Sequence, residues 1–343
     1  MITADLVWEW ILKSLFLCIF MTVAFAYLTW YERRALAKMQ ARIGPNRVGW
    51  QGLLQPVSDA VKLIFKEELT PAGADRIIFF FAPIITMVPA LIITAVIPWG
   101  TSFNLFGREI PLIISDVNIG VLYIMAVTSI SVYGITLAGW SSNNKYATLG
   151  GLRSTAQMIS YELALGLSMI GPVVIAGSMS FVDIINNQAH LWNIFKQPVG
   201  FLLFFIAVLA ETNRAPFDMP EAEQELTAGY HAEYSGMKFA LFFMAEYIKM
   251  IAVSMIGSSL FLGGYLSPLA FLSGIPVIGW LFASGPLWLF IKVVIWLFLM
   301  IWIRATLPRI RYDRLMQLGW KVLFPVGLAN VVVTAAVIVL LGA

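Results

Sequence analysis

Val199-Gly-Phe-Leu-Leu-Phe-Phe-Ile-Ala-Val-Leu-Ala210 runs directly into Glu211-Thr-Asn-Arg-Ala-Pro-Phe-Asp-Met-Pro-Glu-Ala-Glu-Gln-Glu-Leu-Thr-Ala-Gly-Tyr230. The first half is apolar enough to lie in hydrocarbon. The second half carries Glu211, Asp218, Glu221, Glu223 and Glu225 against one cation, Arg214. A further apolar run follows and holds Glu246 and Lys249. Charge within a hydrocarbon layer costs roughly 2.5–3.5 kcal/mol by insertion scales, so it marks function when it is retained. The acidic stretch has the signals of an ordered element. Asp218 suits a helix N-cap, Pro220 the first turn, and Glu221 stands three residues after Asp218, as a capping box requires. Glu221 and Glu225 then share a helical face, where like charges repel unless water, cations or bound protons relieve them. Two readings stay open at this point: a solvated acidic loop, or a cluster that handles charge.

The apolar half is short. Twelve residues at 1.5 Å each reach about 18 Å, well under the roughly 30 Å of a hydrocarbon core. Pro198 sets the helix start, so Glu211 is expected below the membrane surface, inside the protein.

Composition places the whole chain in a bilayer. Of 343 residues, 60% are hydrophobic and 12% charged, where soluble domains carry about 25% charged. Only helices or closed barrels satisfy their backbone in lipid, and long continuous apolar runs exclude the alternation of a barrel. The chain reads as an all-α integral membrane protein, a single polytopic domain over residues 1–343. Cys18 is the sole cysteine, which excludes an intrachain disulfide or an Fe–S site. His190 and His231 are too far apart in sequence to suggest a haem pair or a zinc site, so no metal is expected. The net charge of +3 is small and no nucleic-acid partner is expected. The first apolar run is long enough to stay as a span and not act as a cleaved signal peptide.

About eight spans are expected: Leu6–Trp30, Ile77–Pro98, Ile119–Trp140, Met158–Ala176, the short Val199–Ala210, Phe239–Leu262, Leu287–Ile303 and Val322–Leu341. Basic residues crowd alternate loops. Arg33, Arg34, Lys38, Arg42, Arg47, Lys62 and Lys66 follow the first span; Lys145 and Arg153 the third; Arg214 and Lys238 the fifth; Arg304, Arg309, Arg311, Arg314 and Lys321 the seventh. The positive-inside rule puts these loops in the cytoplasm and both termini outside. Glu162 lies on the fourth span, Glu211 ends the fifth, and Glu246 lies about two turns into the sixth, where Lys249 can pair with it at i,i+3. Each alone reads as interhelical glue. Together, all toward the cytoplasmic side, they read as a polar pathway.

The first cytoplasmic loop is the second unusual stretch. After the Gly44-Pro45-Asn46 turn, Gly52–Phe65 reads as an amphipathic helix, with Leu53, Leu54, Val57, Ala60, Val61 and Ile64 apolar and Asp59 and Lys62 interrupting. Such a helix lies in the interface or roofs an apolar cavity that a long-tailed substrate enters from the bilayer.

These stretches resemble a known family. Glu32-Arg-Arg, then Arg42-Ile-Gly-Pro-Asn-Arg-Val-Gly49, then Gly52-Leu-Leu-Gln-Pro-Val-Ser-Asp-Ala-Val-Lys-Leu63 is similar to one signature of the membrane-arm H subunit of proton-translocating NADH:quinone oxidoreductase, respiratory complex I. Ala210-Glu-Thr-Asn-Arg-Ala-Pro-Phe-Asp-Met-Pro-Glu-Ala-Glu-Gln-Glu-Leu226 is similar to its second signature, and the resemblance extends over nearly the whole chain. The mitochondrial counterpart is NADH dehydrogenase subunit 1; the length here looks bacterial. The resemblance implies a subunit of the bacterial inner (cytoplasmic) membrane, the mitochondrial inner membrane being the alternative. Ubiquinone would be a substrate of the complex, with NADH used elsewhere in it. FMN and Fe–S clusters would sit in partner subunits, with no cofactor held by this chain alone. Partners would be peripheral-arm subunits that hold Fe–S clusters and the quinone site, membrane-arm subunits of small helical and antiporter-like kinds, and membrane lipid. By motif position, Glu32, Arg33, Asp59 and Lys62 would line or support the quinone entrance. Glu162, Glu211, Glu221, Glu223, Glu225 and Glu246 would form an acidic path toward the proton-pumping subunits; no residue here would be catalytic. Some relatives carry a further glutamate on the third span, where this chain reads Thr128-Ser129-Ile130-Ser131; a water chain past those hydroxyls would serve instead. The competing class is a homologous subunit of a membrane-bound hydrogenase or ion transporter, which binds no quinone.

Overall fold

Apolar runs fold as helices because a backbone in hydrocarbon must satisfy its own hydrogen bonds. The computed structural model describes residues 4–105, 108–218, 229–269 and 282–341. Its helices are α1 (Ala4–Met39), α2 (Gln55–Phe65), α3 (Arg76–Ile93), α4 (Gly120–Ser141), α5 (Lys145–Ala176), α6 (Phe181–Asn187), α7 (Asn193–Lys196), α8 (Pro198–Glu211), α9 (Gly236–Phe261), α10 (Pro286–Thr306), α11 (Tyr312–Leu318) and α12 (Phe324–Leu341). A π-helical turn over Gly319–Leu323 joins α11 to α12. Among the described residues, seven helical runs are long and apolar enough to cross a membrane, and the shorter apolar α8 makes eight with them. The only strands among those residues form a hairpin, β1 (Ser102–Leu105) against β2 (Arg108–Pro111), with Ser102 opposite Pro111.

The largest boundary differences from the sequence reading are at α1 and α5. α1 does not stop at Trp30; it continues to Met39, about 54 Å of helix at 1.5 Å per residue. Glu32, Arg33 and Arg34 therefore ride on a helix and not a loop. α5 starts at Lys145, so Arg153 is also helical. Ala35, Leu36, Ala37 and Lys38 favour helix strongly, which carries α1 onward once the apolar run ends. Asp75 caps α3, accepting from the N–H groups of Ile77 and Ile78 at 3.1 and 3.3 Å.

α9 is the central post. Nearly every residue from Ala245 to Phe261 is buried, and α9 packs against α1, α3 and α10. Phe204, Phe261 and Trp296 interlock at its far end, with ring centroids 5.4 Å (Phe204–Phe261) and 5.9 Å (Phe204–Trp296) apart. α4 and α5 approach so closely that a Cβ on Gly139 would lie 2.7 Å from the Ala147 carbonyl oxygen. α12 and the first half of α1 expose apolar surface, including Val332, Val333, Phe16 and Leu12.

The connections that follow α1, α4, α8 and α10 meet at one end of the bundle. The Asp75 N–H donates to the Ser141 carbonyl at 3.1 Å, Asn144 donates to Glu233 at 2.6 Å, Lys238 pairs with Glu68 at 3.3 Å, and the Ile310 N–H donates to the Pro216 carbonyl at 3.0 Å. Even-numbered crossing predicts this gathering, since the same four connections carry the basic residues.

Candidate functional site

The charged residues inside the bundle form a chain. It begins at Glu32 on α1, which is 2% exposed. Its Oε1 accepts from Arg214 Nη1 at 3.0 Å and from Arg304 at the end of α10. Arg214 lies on the segment after α8, is 4% exposed, and also pairs with Glu246 of α9. Its guanidinium stacks over the Tyr247 ring, 4.3 Å from the centroid. Burial opposes the charge on Arg214, but Glu246 and Glu32 outweigh it and keep its pKa well above the usual arginine value. Two carboxylates and two guanidinium groups thus neutralise one another where four parts of the chain converge.

The next link is a polar cavity of about 30 Å³ lined by Thr86, Ser131, Glu211, Asn213, Glu246 and Lys249, among others. That volume admits a water molecule, and the lining offers it partners. Across it, Lys249 Nζ pairs with Glu211 Oε1 at 2.6 Å and donates to Ser131 Oγ at 3.4 Å. Glu211 Oε2 is buried and has no hydrogen-bond partner. An acceptor in that state is a ready terminus for a water chain, because leaving it dry costs about 1–3 kcal/mol.

The last link is Glu162 on α5. It accepts from Ser129 of α4 and lies within electrostatic reach of Glu211. Glu162 opens onto a groove of about 520 Å³ between α4, α5 and Phe324, otherwise lined by residues such as Leu122, Met125 and Leu163. At the other end of the chain, α1, α9 and α10 enclose an apolar cavity of about 270 Å³, lined by Phe20, Tyr27, Trp30, Tyr31, Met255 and Val293 among others. Trp30 and Tyr31 lie immediately before Glu32 and Arg33 in α1.

A family model described as NADH dehydrogenase matches residues 12–335. The NADH-quinone oxidoreductase H subunit of Thermomicrobium roseum is 51% identical over 322 residues, covering 91% of each chain. The chain belongs to the H-subunit family of NADH-quinone oxidoreductase. One of the H subunits of Geobacter sulfurreducens is 51% identical over 338 residues, covering 95% of this chain and 94% of that one. The H subunit of Protochlamydia amoebophila is 47% identical over 312 residues, covering 91% and 92%.

In this member of the H-subunit family the sequence-predicted residues separate into groups. Glu32, Glu211 and Glu246 fall in the buried chain, and Glu162 at its edge. Arg33 and Asp59 pair on the outside: Arg33 Nη1 meets Asp59 Oδ2 at 2.6 Å, and Gln55 of α2 donates to Asp59 Oδ1 at 3.0 Å. Lys62 is exposed on α2 one turn further on. Glu32 and Arg33 are neighbours in sequence but face opposite ways, one into the bundle and one toward α2. The expected pairing of Glu246 with Lys249 is not what forms. Lys249 turns to Glu211 at the end of α8, and Glu246 to Arg214 on the segment after it. Asp218 ends the described stretch. Glu221, Glu223 and Glu225 lie outside the described residues, as does the helix that Asp218 is expected to cap.

The amphipathic helix begins later than expected, at Gln55, after a 3₁₀ turn over Trp50–Gly52. It leaves Leu54, Val57, Val61 and Ile64 exposed on one side. The Trp30 indole N–H and Arg34 both donate to the Gln51 carbonyl, at 3.2 and 3.0 Å, and pin this segment to α1.

Sequence reasoning missed three residues. Arg304 reads in the sequence only as a loop cation, although its place at the end of a span lets it turn inward. Lys292 stands in the middle of an apolar run, which is itself the signal for a partnered intramembrane charge. Gln157, fully buried on α5, has no sequence signal. Among the described residues no group of three or more His, Cys, Asp or Glu is placed to hold a metal ion.

Proposed function

We propose that this chain is the quinone-chamber subunit of a proton-translocating NADH:quinone oxidoreductase in a bacterial inner membrane. It helps bind ubiquinone at the junction of the peripheral and membrane arms, and it passes the consequence of quinone reduction to the proton-pumping subunits. One observation carries this reading: a series of charged groups from Glu32, beside the amphipathic segment, through Arg214 and Glu246, across a shared polar cavity to Lys249 and Glu211, and within electrostatic reach of Glu162. Single interhelical contacts do not need so many titratable groups in sequence, since each costs several kcal/mol to place in hydrocarbon.

The two ends of the series suit their tasks. The apolar cavity beside Trp30 and Tyr31 accommodates part of an isoprenoid tail, and the exposed apolar side of α2 lies in the interface where such a tail would enter. Arg33 and Lys62 supply cations at headgroup level. Glu162 faces a groove of about 520 Å³ on the side proposed for a membrane-arm partner. A change of charge near Glu32 alters the equilibrium among Arg214, Glu246 and Glu211, which is the form that coupling between distant sites must take. FMN and the Fe–S clusters that deliver electrons belong to peripheral-arm partners, and NADH binds there. With the basic connections in the cytoplasm, both termini are periplasmic; a reporter fused at Asp313 reads cytoplasmic in this arrangement, and a periplasmic signal overturns it.

Deleting the chain separates this reading from a hydrogenase or transporter subunit. Membranes lacking it should lose quinone-dependent NADH oxidation while NADH oxidation by a water-soluble acceptor survives. Retention of the quinone-dependent activity would contradict the proposal.

A further inference from the structure

Arg214 must sit between Glu32 and Glu246, yet it lies on a short non-helical segment after α8, and such segments are the most mobile parts of a fold. The segment has some internal structure. The Arg214 N–H donates to the Leu209 carbonyl at 3.3 Å and the Phe217 N–H to the Arg214 carbonyl at 2.8 Å. Asn213 has a left-handed backbone, φ 50°. These local bonds fix the shape of the turn but not its place in the bundle.

The Ile310 N–H holds the segment at Pro216, and Gln157 ties both its ends to α5. Gln157 projects from α5 and is wholly buried. Its Nε2 donates to the Ala210 carbonyl at 2.8 Å and the Phe217 carbonyl at 2.8 Å, and lies 3.2 Å from Asn213 Oδ1. Ala210 lies one residue before the end of α8 and Phe217 ends the turn, so one amide group ties both ends of the segment that carries Glu211 and Arg214. Both backbone partners are carbonyls, which accept only; the amide nitrogen, not the oxygen, must therefore face them. The amide oxygen is buried without a partner. A glutamine whose donor side faces three acceptors and whose acceptor side faces none is placed for its donors.

We propose that Gln157 is a positioning residue that holds Arg214 between Glu32 and Glu246 by clamping Ala210, Asn213 and Phe217. The proposal rests on the reading that the Arg214 network couples quinone reduction to pumping. Leucine at 157 keeps the bulk and removes the donors. Glutamate at 157 keeps the shape and presents oxygen to two carbonyls, unless it is protonated, when its O–H can donate to one of them.

The test is a double-mutant cycle on the assembled complex in membranes, with Gln157→Leu, Arg214→Lys and the pair. Gln157→Leu should lower quinone-dependent NADH oxidation on the order of tenfold, since a small displacement of a positioned group is enough to cost that much. Oxidation by a water-soluble acceptor should be unchanged. In the Arg214→Lys background the same substitution should cost less than about twofold, because residues acting through one another do not add. Gln157→Glu should recover activity as pH falls through the pKa of the introduced carboxyl and lose it as pH rises, a profile that Gln157→Leu and the unmodified complex lack. Effects that multiply in the double mutant, or a flat profile for Gln157→Glu, would overturn the clamp. A normal Gln157→Leu beside an impaired Arg214→Lys would overturn the clamp and leave the coupling reading standing. A normal Arg214→Lys in both quinone reduction and proton gradient would overturn the two together. If Gln157→Leu does not assemble, the pH profile of Gln157→Glu decides.

Discussion

The two ends of α9 solve the same problem in opposite ways. Toward its start, buried cations meet carboxylates: Arg214 meets Glu246 and Glu32, and Lys249 meets Glu211. At its end, Lys292 of α10 is 4% exposed and meets backbone. Its ammonium donates to the carbonyls of Leu262, Gly264 and Leu266 at 2.6, 2.7 and 2.7 Å, and sits 4.6 Å from the centre of the Trp192 ring. Those carbonyls belong to the helix terminus and the turn beyond it, where acceptors lack partners and the helix dipole favours a cation. Both arrangements satisfy a charge in hydrocarbon. The partners differ in kind: a carboxylate can itself take and release a proton, and a carbonyl cannot. In the proposed function Lys292 is a pin and the cluster at the other end is a relay.

The sharpest way to break this contrast is to remove the pin. Lys292→Met keeps the length of the side chain and orphans three carbonyls, each worth about 1–3 kcal/mol when left dry. Loss of the protein from purified membranes is the expected result, measured by the amount of assembled complex. Normal assembly and full activity in this variant would mean that Lys292 fixes nothing.

A smaller effect is expected outside the bundle. The Arg33–Asp59 pair is half-exposed, and such pairs contribute about 0.2–1 kcal/mol. Arg33→Ala and Lys62→Ala should therefore leave assembly intact. Quinone reductase activity should fall by a few fold at limiting quinone, with NADH oxidation by a soluble acceptor spared. Equal loss of both activities in an assembled complex would remove these residues from the quinone entrance.

The same contrast shows what a sequence can and cannot convey. The spans are legible because each is a continuous apolar run, and the shortness of α8 correctly places Glu211 inside the protein. The presence of charge within the spans is legible too, since a charge in an apolar run is visible at once. Its pairing is not. Whether Lys249 turns to Glu246 or to Glu211 depends on how α8 and α9 are rotated about their axes, and only packing sets that. Arg304 illustrates the same limit: in the sequence it counts toward topology, while its guanidinium closes the cluster on Glu32 from another helix. Lys292 gives no clue to its partners, which are carbonyls that no pattern of side chains announces. The continuation of α1 past Trp30 has a local cause, strong helix formers beyond the apolar run, and is within reach of the sequence.

The central claim is that the relay near Glu246 links quinone reduction to pumping, and Glu246→Gln tests it most directly. Glutamine keeps the shape and a hydrogen bond to Arg214 but cannot carry the charge or exchange the proton. Membrane vesicles bearing this variant should be assayed together for assembly, quinone-dependent NADH oxidation and the proton gradient. The account predicts an assembled complex in which quinone reduction and gradient fall in parallel, with oxidation by a soluble acceptor unchanged. Normal rates in both quinone reduction and gradient formation would contradict it.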